Sequence, residues 1–152
     1  MVNKTKLFLD MDGVLADFIK AVKEHPDYEI SNEHDTIDQL DVFGILEPME
    51  GAIEAVGKLW NSGKYDMYIA STAPWDNVAA WTHKRQWIER YLPMFKKRLI
   101  LTHHKDMLCG NKQDIIIDDR LKNGVEKWNG VHLHYGTDGM ETWVEVLKFL
   151  GI

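Results

Sequence analysis

Five short, β-prone apolar runs recur along this chain, and the stretches between them carry helical periodicity, which leaves few architectures open. The runs are Lys6 to Met11, Asp66 to Ser71, Arg98 to Leu101, Asp114 to Ile117 and Val131 to His134. Several are apolar at consecutive positions, as in Ile115-Ile116-Ile117, the pattern of a strand covered on both faces. Between them, Gly51 to Asn61 places Ile53, Val56, Leu59 and Trp60 at helical spacing, Asn77 to Tyr91 does so with Trp81, Ile88 and Tyr91, and Thr142 to Leu150 repeats the pattern. Strand, helix and strand in succession predict right-handed crossovers and a central parallel sheet, hence an α/β, Rossmann-like, three-layer α/β/α core. The 152 residues suffice for a single domain over the whole chain, 1–152, and leave no room for a second. One part breaks the pattern. From Glu24 to Pro48 the chain is polar, carries Pro26 and several Asp and Glu, and lacks a long apolar period, so residues 19–48 are expected to form a small insertion on the surface.

The first run ends in Asp10-Met11-Asp12-Gly13. In open parallel sheets ligands sit beyond the carboxyl ends of the strands, where these acids are delivered. Residues two apart on an extended segment point the same way, so both carboxylates can face one ligand, and Gly13 permits the tight turn that follows. The fourth run ends in a second pair, Asp118-Asp119. Carboxylates gathered about 4 Å apart repel by roughly 4 kcal/mol per pair at an effective dielectric near 20, so cations belong there. Magnesium suits such oxygen ligands and bridges them to a phosphate. Lys105, in Leu101-Thr102-His103-His104-Lys105, follows the third run and can supply a fixed positive charge. Lys112 is its rival, being nearer the Asp-Asp pair, but it sits in the turn made by Gly110 and Asn111. Ser71 and Thr72 close the second run, where a hydroxyl and free backbone amides can hold a phosphoryl group. Each feature also has an ordinary use: Asp caps turns and helices, and a lone lysine is solvated.

The set formed by strand-D-x-D-G, strand-Ser/Thr, Lys and strand-Asp-Asp resembles the haloacid dehalogenase (HAD) superfamily, and the string D-M-D-G-V-L-A-D-F, Asp10 to Phe18, is similar more narrowly to the 5'(3')-deoxyribonucleotidases. The resemblance implies that Asp10 attacks phosphorus to form an aspartyl-phosphate. Asp12 would protonate the departing oxygen and later take a proton from water, so the two acids need opposite protonation states. It implies Mg2+ held by Asp10, the backbone carbonyl of Asp12 and Asp119, with Asp118 in support, although the two neighbours can exchange roles. Lys105 takes the place of the third-motif lysine, and Ser71 and Thr72 that of the second motif. Phe18 stands where the family carries an aromatic facing the base, and Phe43 and Trp75 flank the site in order. The stretch Phe43 to Ala52 is similar to the segment by which a cap rejoins the core, which makes 19–48 a short cap. In one respect the chain departs from the family: the loop after the Ser/Thr motif typically carries basic residues, whereas here stand Trp75 and Asp76, with Lys84 and Arg85 farther on.

Other classes fit less well. A net charge of -6 disfavours a duplex nucleic acid partner. No apolar run approaches a membrane span, the start with Lys4 and Lys6 lacks a signal-peptide core, and the lone Cys109 is compatible with a reducing compartment, so a cytoplasmic protein is expected. His103, His104, His132 and His134 lack the spacing of a metal site, and Trp81 and Trp87 read as packing residues. The expectation is a magnesium-dependent phosphomonoester hydrolase acting on a small-molecule substrate, a nucleoside monophosphate and in particular a deoxyribonucleotide. A HAD phosphatase for a sugar phosphate would use the same catalytic set. A phosphate-binding module without catalysis has no need for both Asp10 and Asp12, and a phosphotransfer receiver domain would not carry D-x-D-G after its first strand.

Overall fold

The computed structural model describes residues 3–28 and 42–152. Its sheet contains β1 (Lys6–Leu9), β2 (Asp66–Ser71), β3 (Leu99–Leu101), β4 (Ile115–Asp118) and β5 (Val131–His134). All neighbours pair in parallel, in the order β3-β2-β1-β4-β5. All five expected strands form, with small shifts at their ends. β1 stops at Leu9 because Asp10 begins a turn, and β4 runs on to Asp118 because that residue pairs with His134. The described helices are α1 (Phe18–Glu24), α2 (Ala52–Ser62), α3 (Val78–Tyr91) and α4 (Trp143–Leu150). None of them is long and apolar enough to cross a membrane.

Alternation along the strands divides the core. Leu7, Leu9, Met67, Ile69, Ile115 and Ile117 join the main cluster, which also takes buried residues from α2, α3 and α4. Phe8, Ala70 and Ile116 face the other way. This second face is covered by single 3₁₀ turns, Lys105–Leu108 and Val125–Lys127, whose Leu108 and Val125 pack with Trp128 on the sheet. The three layers are therefore unequal in thickness. Phe8 compensates with its ring, stacked on Tyr68 at 5.7 Å and met edge-on by Trp128 at 5.5 Å.

In α3 the buried stripe is Ala80, Lys84, Trp87 and Ile88. Of the apolar positions that set the helix's expected period, only Ile88 belongs to it, while Trp81 and Tyr91 lie at its margins. Trp87 is buried, and its indole donates to the Leu46 carbonyl at 2.8 Å. Trp81 donates to the Pro74 carbonyl at 3.1 Å. α4 begins with a capping box in which Thr142 and Glu145 bond reciprocally, and its Trp143 donates across the core to the Val14 carbonyl at 2.9 Å.

β1 is the strand at which the chain order reverses, with β2 on one side and β4 on the other. The carboxyl ends of these three strands therefore lie side by side, and Ser71, Asp10 and Asp118 share one edge of the sheet. Next to them the two ends of the stretch expected as an insertion lie side by side. The Asp17 amide donates to the Glu47 carbonyl at 2.8 Å, the Met49 amide donates to the Leu15 carbonyl at 2.7 Å, and Ala16 bridges Pro48. Residues 29–41 of that insertion lie outside the described residues.

Candidate active site

The turn after β1 is built from its own backbone. The amides of Leu15 and Ala16 both donate to the Met11 carbonyl at 2.8 Å, and the Gly13 amide donates to Ala16 at 2.8 Å. Gly13 holds φ +80°, and a Cβ there would lie 2.3 Å from the Asp119 carboxylate. Glycine is thus required twice over, by conformation and by the close approach of the second acid pair.

Lys105 is 3% exposed, and its ammonium donates to Asp10 Oδ1 at 2.8 Å and to Asp118 Oδ2 at 2.6 Å. Burial by itself would lower its pKa. The charges of Asp10 and then Asp118 outweigh that and hold the ammonium above its usual value. The lysine is aimed by its backbone, whose amide donates to the Asn123 carbonyl at 2.8 Å. The neighbouring Gly124 has φ +95° and packs so closely that a Cβ would stand 2.7 Å from the Lys105 nitrogen. Lys112, the alternative considered from sequence, is exposed.

Asp10, Asp118 and Asp119 each present an oxygen within 4.8 Å of the others. Burial first, and then the charge of Asp10, raises the carboxyls of both Asp118 and Asp119, the latter up to about 7. The two neighbours differ in how their oxygens are engaged. Asp118 accepts from Lys105 through one oxygen and from the Arg120 amide at 3.0 Å through the other. Asp119 Oδ1 is buried and has no hydrogen-bond partner. A buried, unmatched carboxylate oxygen beside two further acids fits a divalent cation with oxygen ligands.

Asp12 turns away from this trio. Its Oδ2 accepts from the ammonium of Lys84, which also donates to Ser71 Oγ at 3.0 Å. Lys84 is fully buried in α3, with its charge 4.7 Å from the centre of the Phe43 ring. In the sequence Lys84 stands out only as a basic group farther along the chain from Thr72. The available signal was its position four residues after Ala80 and four before Ile88, inside the stripe that faces the core. Ser71 is fully buried and engaged by Lys84, whereas the Thr72 hydroxyl donates to the Thr102 carbonyl at 2.7 Å.

Asp12 and Thr72 open onto a cleft of about 270 Å³, whose other lining residues are Phe18, Phe43, Pro74, Trp75, His103, Arg120, Lys122 and Asn123. Phe18 and Phe43 stack on each other, ring centres 5.4 Å apart and planes 21° apart. Phe43 is buried and backs Phe18. Trp75 is 75% exposed at the mouth, edge-on to Trp81 at 6.2 Å and next to His103. No sequence motif marks His103, Arg120, Lys122 and Asn123 as lining residues, since loops far apart in sequence bring them together. A larger groove of about 650 Å³ beside β3 contains none of the carboxylates of the site.

A fold of this kind, with acids at the ends of β1 and β4, is that of the HAD-superfamily hydrolases. A HAD-hydrolase of Bacillus subtilis, solved bound to magnesium, superposes with a TM-score of 0.61 at 13% identity, over 99% of this chain and 100% of the other. The family model for 5' nucleotidase, deoxy (pyrimidine), cytosolic type C protein matches residues 24–139. A Vibrio phage KVP40 protein assigned as a 5'(3')-deoxyribonucleotidase is 41% identical over 150 residues, spanning 97% of this chain and 85% of that one. The cytosolic-type 5'(3')-deoxyribonucleotidase of Homo sapiens is 26% identical over 149 residues, spanning 79% and 73%. The chain belongs to the 5'(3')-deoxyribonucleotidase family.

Proposed function

We propose that this chain hydrolyses deoxyribonucleoside monophosphates with the aid of Mg2+, through an aspartyl-phosphate on Asp10. The observation that carries this reading is the division of the site between two buried lysines, Lys105 on Asp10 and Asp118 and Lys84 on Asp12 and Ser71.

In the first step an Asp10 oxygen forms a bond to phosphorus while the ester P–O bond breaks, and Asp12 gives its proton to the departing oxygen. In the second, Asp12 takes a proton from water as the water oxygen attacks phosphorus, and the bond to Asp10 breaks to release phosphate. Lys105 holds the nucleophile in place and balances its charge. Ser71, the backbone beyond β2 and Lys84 would receive the phosphoryl oxygens. Asp10, Asp119 and the carbonyl of Asp12 would hold Mg2+, with Asp118 supporting through Lys105; the free Asp119 oxygen favours that assignment over the exchanged one. When bound, the cation offsets the charge of the phosphate and its acids.

Residues 19–48 serve in this reading as a small cap, supported by the stitching of Asp17 to Glu47 at its base. Phe18, backed by Phe43, and Trp75 would offer the base its apolar contacts, worth roughly 1 to 3 kcal/mol for a stacked base. The test is a panel of phosphomonoesters assayed with Mg2+, with Asp10→Asn as the inactive control. Deoxyribonucleoside monophosphates should exceed sugar phosphates in kcat/KM, and Phe18→Ala should lower the nucleotide value more than that for p-nitrophenyl phosphate. EDTA should stop turnover and Mg2+ should restore it. Sugar phosphates outrunning every nucleotide, or turnover that survives thorough chelation, would overturn the reading.

A further inference from the structure

β5 closes one edge of the sheet, and its second and fourth residues are histidines on the thinly covered face. The two rings stack, with centres 5.1 Å apart and planes 22° apart. Each reaches across to the end of β4: His132 Nε2 lies 3.0 Å from the Asp118 carbonyl oxygen and His134 Nε2 lies 3.0 Å from the Asp119 carbonyl oxygen. A carbonyl oxygen only accepts, so both imidazoles must donate Nε2–H there.

The two contacts fall where the backbone ladder runs out. Asp118 pairs with His134 as the last residue of β4, and its carbonyl also accepts from the Tyr135 amide at 3.1 Å. Asp119 lies one residue past the ladder. There the imidazole of His134 takes the role that a strand amide would have played, extending the hydrogen-bonded edge by one peptide. The direction of a side chain follows the plane of its own peptides. Fixing the two carbonyls therefore fixes where the Asp118 and Asp119 carboxylates point, one toward Lys105 and the other toward Gly13.

We infer that His132 and His134 are positioning residues, which aim the paired acids so that the cation site is formed before the cation arrives. The inference rests on the proposed reading of Asp119 as a metal ligand. Outer partners of this kind typically govern metal affinity by 10- to 100-fold.

The test measures Mn2+ binding by the EPR signal of the free ion, Mn2+ being an octahedral, oxygen-preferring stand-in for Mg2+. His134→Leu should weaken Mn2+ binding by about 10- to 100-fold. At saturating Mg2+ its kcat should stay within a few-fold of wild type. His134→Gln, whose amide nitrogen can occupy the place of Nε2, should restore most of the affinity, whereas the shorter His134→Asn should behave like Leu. Should the Leu variant fail to fold, the contrast between Gln and Asn decides the matter. Wild type and Asp119→Asn are titrated alongside. Absence of Mn2+ binding by wild type, or undiminished binding by Asp119→Asn, overturns the metal reading and this inference with it. Metal binding that is lost in Asp119→Asn but unchanged in His134→Leu and His134→Asn overturns the positioning role alone.

Discussion

Asp119→Asn, measured without metal, should stabilise the fold at neutral and higher pH and lose that advantage in acid. Burial first and the Asp10 charge second move the Asp119 carboxyl from 3.8 up to about 7. Between those values the folded protein retains a proton that the unfolded chain has released, so stability falls as pH rises, and the fall ends once pH exceeds the folded value. Integrating over that window gives a cost of roughly 2 kcal/mol at pH 5 and roughly 4 kcal/mol at pH 8. Asparagine keeps the shape and carries no titrating charge. The difference in stability between variant and wild type should therefore grow by roughly 2.5 kcal/mol from pH 5 to pH 8. In melting temperature this is about 5 to 10 °C for a chain of this size. Scanning calorimetry in EDTA across that range reads it directly, and saturating Mg2+ should favour the wild type selectively, because a ligand stabilises only the fold that binds it. A gap that does not change with pH, or a wild type that outlasts the variant at pH 8 in EDTA, would refute the reasoning.

Asp12→Asn should slow turnover most for esters with poor leaving groups, because a good leaving group needs less protonation; kcat/KM across esters of graded leaving-group pKa checks it, and a uniform loss would remove the acid role. Lys84→Met should cost about 3 kcal/mol in stability, since it strands the Asp12 carboxylate in a buried position. Adding Asp12→Asn to that variant should recover a large part of the loss, and denaturant unfolding of the single and double variants measures the coupling.

The layout of the sheet was legible because strand ends carry information in two ways. Consecutive apolar residues such as Ile115-Ile116-Ile117 announce strands covered on both faces, and the acids that follow them can only lie at the sheet's carboxyl edge. Lys105 was separable from Lys112 on the same logic, as a lysine placed directly after a strand. Lys84 was harder to see. A lysine on an amphipathic helix is ordinarily solvated, and the reason for its burial, the carboxylate of Asp12, lies 72 residues away in sequence. The thin second face was also hidden, because turns of three or four residues such as Val125–Lys127 are too short to show a helical period. Phe18 and Phe43 lie in different parts of the chain, and no local pattern shows that their rings stack on each other.

The arrangement of the two lysines bears on the departure noted in the loop after β2. Where the family resemblance leads one to expect basic residues, this chain has Trp75 and Asp76, yet positive charge still reaches Ser71, delivered by Lys84 from the buried face of α3. A helix is a stiffer support than a loop. The charge it carries is shielded from solvent salt, and so acts more strongly than an exposed lysine would. The separation has a chemical consequence as well. Asp10 and Asp12 stand two residues apart yet are held by different cations: Lys105 joins Asp10 to Asp118, and Lys84 joins Asp12 to Ser71, so each acid is positioned independently of the other. Loss of Lys84 should therefore fall on the proton-transfer side of the reaction, giving Lys84→Met a dependence on the leaving group like that of Asp12→Asn.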